Sequence, residues 1–252
     1  MQIKNKYKKF DNFIFDLDGT VWRWTNLIVD GAERVFEFLK KENKNYYFIT
    51  NNTSLTLNGY VKKLKIFGIE AEPSQIFNPT LVAKRIFKGK RVYCIGEGIK
   101  NDLKQAKIEL TDNNPNVVLV CEDRKISFEK LNKAVHFIYN GSKFYKVACG
   151  GKWIMGNSFI LGSGAIANAI ETCIGKEGIL IGKPSEYMMK IIPKLKGKTL
   201  IIGDEIHSDI IFGKKLGFST LLVLSGVEGI IRNLNKKYYP NFIEKNILRI
   251  IK

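Results

Sequence analysis

The stretch "NFIFDLDGTVW", Asn12 to Trp22, decides how this chain is read. Phe13, Ile14 and Phe15 form an apolar run that predicts a buried strand, yet it ends on two carboxylates one residue apart, Asp16 and Asp18, and then on Gly19. Strand alternation puts both carboxylates on the same side, where like charges repel strongly. A cation is expected between them. The plainer alternative is a surface turn after the strand, with Gly19 supplying an unusual backbone angle.

The rest of the composition narrows the setting. At 252 residues with 45% hydrophobic content, the chain can bury a core as one large domain or two smaller ones. Cys94, Cys121, Cys149 and Cys173 lie far apart, mostly in apolar stretches, with no C-x-x-C pair and no histidine at zinc-ligand spacing. Buried free thiols in a reducing compartment are expected. The apolar stretch after the basic N-terminus is broken at Asp16, so no signal peptide can be drawn, and no segment approaches the roughly 18 apolar residues of a membrane helix. A soluble cytoplasmic protein with no membrane partner is the expectation. The formal net charge of +17 invites a polyanionic partner. The lysines are spread through "NKYKKF", "FLKKENKN", "VKKLK" and "NLNKKYY" without an arginine-rich arm or an aromatic ladder, and lysine, asparagine, isoleucine and tyrosine are abundant together, as an AT-rich coding sequence would give. Basicity by composition is expected, not nucleic acid; steering of small anionic substrates is the remaining role.

Along the chain, apolar strand-like runs alternate with amphipathic stretches. "FIFDLD" precedes "GAERVFEFLKKEN", whose Val35, Phe36 and Leu39 fall at helical spacing, and "YYFITNN" follows. "TLNGYVKKLKIFG" predicts a helix closed by Gly68; "RVYCIGEG", "NVVLVCED" and "SFEKLNKAVHFIYNG" give a second alternating set. The last quarter offers "GILIGKPS", a helix around "SEYMMKIIPKLK", "TLIIGDEIHSDI" leading into "IIFGKKLG", and "STLLVLSG", with a short strand and a closing amphipathic helix in "YYPNFIEKNILRIIK". Alternation of this kind predicts parallel sheets with helices on both faces.

In such sheets ligands bind beyond the carboxyl ends of the strands. Asp16 and Asp18 follow the first run, Thr50, Asn51 and Asn52 the second, Lys183 follows "GILIG", and Asp204 and Asp209 follow "TLIIG". Several carboxylates with a lysine and a hydroxyl suit a hard divalent cation such as magnesium. The same set suits a phosphoryl group, whose transfer asks mostly for positioning and charge stabilisation. One aspartate of the first pair would attack phosphorus, while the other would protonate the leaving oxygen and later activate water.

"DLDGT", "TNN", "GKPS" and "GDEIHSDI", in that order, resemble the four motifs of the haloacid dehalogenase superfamily of phosphotransferases. "TNNTS", "VYCIGEG", "GSKF", "LGSGAIANAIE" and "LLVLSGV" resemble its p-nitrophenylphosphatase-like branch, which includes pyridoxal phosphatase and phosphoglycolate phosphatase. The resemblance runs from about Phe13 to about Gly226. It implies a magnesium-dependent phosphatase of small phosphorylated metabolites, working through an aspartyl-phosphate on Asp16 with Asp18 as general acid and base. Thr50 and Asn51 would bind the phosphoryl oxygens, and Lys183 would neutralise the charge shared by nucleophile and phosphate. Magnesium would be held by Asp16, the Asp18 backbone carbonyl and Asp204, with Asp209 supporting the ligands from behind.

The implied architecture is an α/β fold: a doubly wound, parallel-sheet (Rossmann-like) core formed by residues 1–79 and 180–252, with an α/β cap inserted over 80–179. The cap would close over the site and choose the leaving group. The branch carries an "ATNPD"-like stretch near the place where this chain reads "VACGGKW", so Gly150, Gly151, Lys152 and Trp153 become the candidates for substrate selection. A homodimer through the cap is the expected assembly. Asn52 and Thr53 read as helix-capping residues, His207 as an exposed helix residue, His136 as packing, and "LGSGAIANAIE" as a tight junction rather than a phosphate loop. Trp22 and Trp24 would either wall the site or pack. Two rivals remain: a phosphotransferase or mutase on the same scaffold, and a nucleotide- or nucleic-acid-binding protein without turnover.

Overall fold

The computed structural model describes residues 2–23, 27–155, 158–226 and 238–252; Trp24 lies outside them. The first decisive run is a strand, Asn12–Asp16, buried along its whole length. It is central in a six-stranded sheet ordered Phe242–Glu244, Ser219–Val223, Thr199–Gly203, Asn12–Asp16, Asn45–Ile49, Ile76–Phe77, every neighbour parallel. Both faces are covered, as a parallel sheet requires. Phe13, Phe15, Phe48, Leu200 and Ile202 point into one apolar cluster with Val35, Phe36 and Leu39 of the helix Ala32–Lys41. Ile14, Ile49 and Ile201, one residue out of phase, point into another. Truncating a fully buried ring such as Phe15 to alanine costs about 3–5 kcal/mol at such sites.

A second sheet, also all parallel, is ordered Ile179–Leu180, Lys143–Lys146, Val117–Val120, Arg91–Ile95, Glu109–Leu110. It is covered by the helices Phe128–Tyr139 and Ser163–Ile174, which share an apolar cluster with Tyr93, Val118, Val120 and Phe144. Its other side packs on the first unit, since Val92, Leu119 and Val147 join the cluster that holds Ile14 and Ile49. The strand Ile179–Leu180 pairs with Lys143–Lys146, so the chain returns to the first sheet only beyond Leu180.

Several local expectations change. The helix around "SEYMMKIIPKLK" is a single turn, Glu186–Met189, because Pro193 has no N–H to donate and its ring crowds the carbonyl four residues back. The closing helix is likewise one tight turn, Ile247–Ile250, after the short strand Phe242–Glu244. Only Cys94 and Cys121 are buried; Cys149 and Cys173 are exposed free thiols. His136 is exposed on its helix, against Asn140, and does not pack in the core. His207 is exposed, and the helix Leu57–Ile66 starts at a Thr56 cap, whose hydroxyl accepts from the Gly59 N–H, and stops before Gly68. Among the described residues no helix is long and apolar enough to cross a membrane.

Candidate active site

Asp16 is the last residue of its strand. The connection to Asn45–Ile49 lies on one side of it and the strand Thr199–Gly203 on the other, so it marks the switch point where an open parallel sheet forms its crevice. Asp18 is beyond the strand, in a turn where the Gly19 N–H donates to the Trp22 carbonyl. Alternation therefore stops at Asp16, and the two carboxylates turn to different partners. Gly19 has φ +89°, and a Cβ there would run into the Asp204 carboxylate; the turn needs glycine for both its angle and its closeness.

Lys183 is the cation that faces Asp16. Its Nζ donates to Asp16 Oδ1 and to Asp209 Oδ1, each at 2.6 Å. The lysine is 2% exposed, Asp16 6%, Asp204 2% and Asp209 1%, so these charges meet with almost no water to screen them. Asn51 fixes the lysine's main chain from both sides: its Oδ1 accepts the Lys183 N–H at 2.6 Å, and its Nδ2 donates to the Lys183 carbonyl at 3.0 Å. The Asn51 amide is thus occupied in holding Lys183. Asp209 sits in a π-helical turn, Ile206–Ile210, and its Oδ2 accepts the Glu205 N–H at 3.1 Å. The Thr20 hydroxyl donates to Asp204 at 3.4 Å, and Gly226 leaves no room for a Cβ against the same carboxylate.

Oxygens of Asp16, Asp204 and Asp209 all lie within 4.8 Å of one another. Three carboxylates crowd around one ammonium. Burial, the largest influence, pushes the Asp16 carboxyl well above the usual carboxylate range; Lys183 pulls it down, and Asp209 and Asp204 push it up again. For Lys183, burial opposes the charge, but Asp16 and Asp209 outweigh it and hold the ammonium protonated. The cluster asks for more positive charge than the lysine brings, and its all-oxygen donor set fits a hard divalent cation.

Asp18 belongs to a neighbouring polar set. The Trp22 indole N–H donates to its Oδ1 at 2.8 Å, and Asn52 Nδ2 donates to its Oδ2 at 3.1 Å. The Thr50 hydroxyl reaches the same oxygen at 3.5 Å while accepting the Asn52 N–H at 3.0 Å. Trp22 is fully buried under Lys63, whose Nζ stands 4.2 Å from the ring centroid. Sequence reasoning left Trp22 open and read Asn52 as a cap; both position Asp18. Asn52 also keeps the turn role, since its Oδ1 accepts the Ser54 N–H at 2.8 Å.

Of the residues nominated for selection, Gly150 approaches the core: a Cβ there would lie 3.3 Å from Glu205 Oε1. Gly151 adjoins Ala165, Lys152 is exposed, and Trp153 packs over Gly162. The "LGSGAIANAIE" segment is the tight junction expected, with the Gly164 N–H donating to the Gly150 carbonyl at 3.1 Å. Sequence reasoning overlooked Glu122, which is 8% exposed in the loop after Val117–Val120; its signal is its place directly beyond a strand of the second sheet.

Residues 13–109 match the family described as haloacid dehalogenase-like hydrolase, and residues 180–249 match a related HAD-hydrolase-like family. The chain is also 31% identical over 229 residues to the 5'-nucleotidase YutF of Bacillus subtilis, covering 87% of this chain and 89% of that protein. The chain belongs to the haloacid dehalogenase superfamily. Within the superfamily it falls in the p-nitrophenylphosphatase-like branch. Ribonucleotide monophosphatase NagD of Escherichia coli is 28% identical over 248 residues, with 95% of this chain and 97% of that protein covered. A thermostable NPPase variant from Geobacillus stearothermophilus has the same fold, with a TM-score of 0.81 at 29% identity over 94% of this chain and 96% of that one. The first matched segment runs into the second sheet as far as the strand Glu109–Leu110, and residues 110–179 lie between the two matches.

Proposed function

We propose that this phosphoric monoester hydrolase acts on small phosphorylated metabolites through an aspartyl-phosphate on Asp16, with magnesium as its cofactor. The observation that carries the reading is the buried contact of Lys183 with Asp16 and Asp209 beside Asp204, at the switch point of the sheet. An Asp16 oxygen attacks phosphorus, and the ester P–O bond breaks. Asp18 gives its proton to the departing alkoxide, then takes one from the water that attacks the phosphoaspartate. Inorganic phosphate leaves and Asp16 is restored. Lys183 spreads the negative charge that builds on Asp16 and the phosphoryl oxygens, and the Thr50 hydroxyl together with the loop held by Asn51 receives those oxygens. Trp22 and Asn52 keep the Asp18 carboxylate aimed. Asp16 and Asp204, with the Asp18 carbonyl, would hold magnesium, and Asp209 would support them while holding Lys183. Bound there, the ion supplies charge neutralisation and a template for the phosphoryl group.

The relatives include a ribonucleotide monophosphatase, an acid sugar phosphatase and a phosphoglycolate phosphatase, which fits a shared phosphoryl site under differing caps. The test is phosphate release from p-nitrophenyl phosphate by the wild type, with magnesium or with chelator, beside Asp16→Asn. Turnover only with metal, and a loss of several orders of magnitude in the variant, is expected. A wild type inactive with magnesium, or a variant equal to it, overturns the mechanism. Transfer of phosphate to added alcohol in place of water would favour a phosphotransferase, and salt-sensitive polyanion binding without hydrolysis would favour a binding protein.

A further inference from the structure

The two sheets meet by their carboxyl edges, strand against strand. Gly150, beyond the cap strand Lys143–Lys146, lies against Glu205, beyond the core strand Thr199–Gly203. Gly98, beyond Arg91–Ile95, has no room for a Cβ against Thr53 and Ser54, beyond Asn45–Ile49. Between these pairs each sheet has one strand left: Val117–Val120 in the cap and Asn12–Asp16 in the core. Their loops carry Glu122 and Asp18; burial pushes the Glu122 carboxyl up, Arg124 pulls it down, and the charge of Asp18 adds to the upward push.

Two consecutive acids in the cap loop are treated differently. Asp123 is saturated: Oδ1 accepts the Lys125 N–H at 2.8 Å, and Oδ2 takes the Lys130 ammonium at 2.7 Å. Glu122 Oε1 accepts from Arg124 Nε at 3.1 Å, but Oε2 is buried with no hydrogen-bond partner among the described residues. A buried carboxylate oxygen without a partner is costly, and folded chains rarely leave one unless something else fills the role.

We infer that Glu122 is a specificity-determining residue whose open oxygen accepts a hydrogen bond from a hydroxyl on the leaving group, so that the enzyme prefers phosphate monoesters of polyhydroxy alcohols. The inference rests on the phosphatase reading above. A sugar, glycerol or ribose could supply that hydroxyl; the shared feature is an O–H close to the ester oxygen. A leaving group without it would enclose Glu122 with its oxygen still unpaired, and selection against substrates that lack an expected hydroxyl is the strong kind.

The test compares glycerol 1-phosphate with propyl phosphate, which has the same carbon chain without the hydroxyls, using the full-length protein with magnesium. The readout is the ratio of kcat/KM for the two. The wild-type ratio should exceed ten, and Glu122→Leu should lower it at least tenfold, mostly through KM for glycerol phosphate. Glu122→Gln, which keeps an acceptor, should retain most of it. If Glu122→Leu fails to fold, Glu122→Ala carries the same readout. A ratio near one in the wild type, or one that Glu122→Leu leaves unchanged, overturns the assignment while the phosphatase reading stands. Absence of turnover on either ester and on p-nitrophenyl phosphate removes both.

Discussion

The two carboxyl edges that face each other differ in how their acids are treated. On the core edge, Asp16 and Asp209 are bound to one ammonium, and Asp204 has the Thr20 hydroxyl with Gly19 and Gly226 pressed against it. On the cap edge, Glu122 keeps a buried oxygen with no partner among the described residues, and Gly150 offers only backbone to Glu205. On the reading proposed above, the groups that hold one geometry for every substrate are tied to their neighbours on the core edge. On the same reading, the group that meets the variable part of the substrate, Glu122, leaves one oxygen open. The core edge spends its hydrogen bonds on itself, and the cap edge reserves one.

Lys183→Met strikes the core edge hardest. It leaves buried carboxylates uncompensated, so urea unfolding in chelator should show about 3–5 kcal/mol less stability, and kcat/KM should fall at least a thousandfold. A variant as stable as wild type would mean that the lysine is not the charge that holds these acids. Gly19→Ala comes next. Its Cβ would displace the Asp204 carboxylate in a backbone conformation strained for alanine, and displacements near 1 Å cost about a hundredfold in rate. Circular dichroism unchanged from wild type, with that loss of kcat, is the expected outcome; unchanged kinetics would show the core edge to be looser than its contacts say.

Trp22→Phe removes one donor to Asp18 and keeps most of the packing. A hydrogen bond to a charged group is worth about 1.5–3 kcal/mol, so kcat should fall about ten- to a hundredfold with little change in KM. A KM effect instead would assign Trp22 to substrate contact. Away from both edges, Glu244 accepts from Tyr7 at 3.1 Å and pairs with Lys6 at 2.8 Å. Burial pushes its carboxyl up, but the Lys6 and Tyr7 bonds with Lys4 outweigh burial and hold it below its ordinary value of 4.5. A depressed carboxyl stabilises the fold above that ordinary value and loses the contribution as pH falls through the folded one. Glu244→Gln should therefore lower Tm at pH 7 and converge on wild type in acid; parallel curves would remove Glu244 from the acid response. The smallest effect belongs to Gly150→Ala, whose Cβ would meet only the end of a glutamate side chain. Less than a threefold change in kcat/KM is expected, and a larger one would place Gly150 on the rigid side of the comparison.

Much of the core was legible because its signals are local. Phe13, Ile14 and Phe15 are each buried, the alternation of apolar runs pointed to parallel sheets, and the residues after those runs do converge: Asp16, Lys183, Asp204 and Asp209 share one buried cluster. The separation of Asp18 from Asp16 was not legible, because strand periodicity does not hold two residues past the strand's end, where Asp18 turns to Trp22 and Asn52. Trp22 and Asn52 were ambiguous since either residue type also serves packing or capping, and only a partner 2.8 or 3.1 Å away separates the uses. Glu122 looked like one acid in "CEDRK"; its meaning depends on a bond that is absent, and a sequence does not display the satisfied state of its neighbour Asp123. The exposed Cys149 and Cys173 were misjudged because an apolar neighbourhood in sequence does not fix which way a helix or loop turns.

The strand-against-strand meeting of the two sheets also bears on how selectivity can diverge. Three cap strands deliver three loops over the core edge, and two of them touch, since Gly96 lies against Cys121 and the Glu122 carbonyl. The loop that carries Gly150 has a neighbour of its own, Glu205, and substitutions that share no partner contribute free energies that add. On the reading proposed above, a lineage can trade one leaving group for another by a step at Glu122, with no retuning of the ammonium and carboxylates of the core edge.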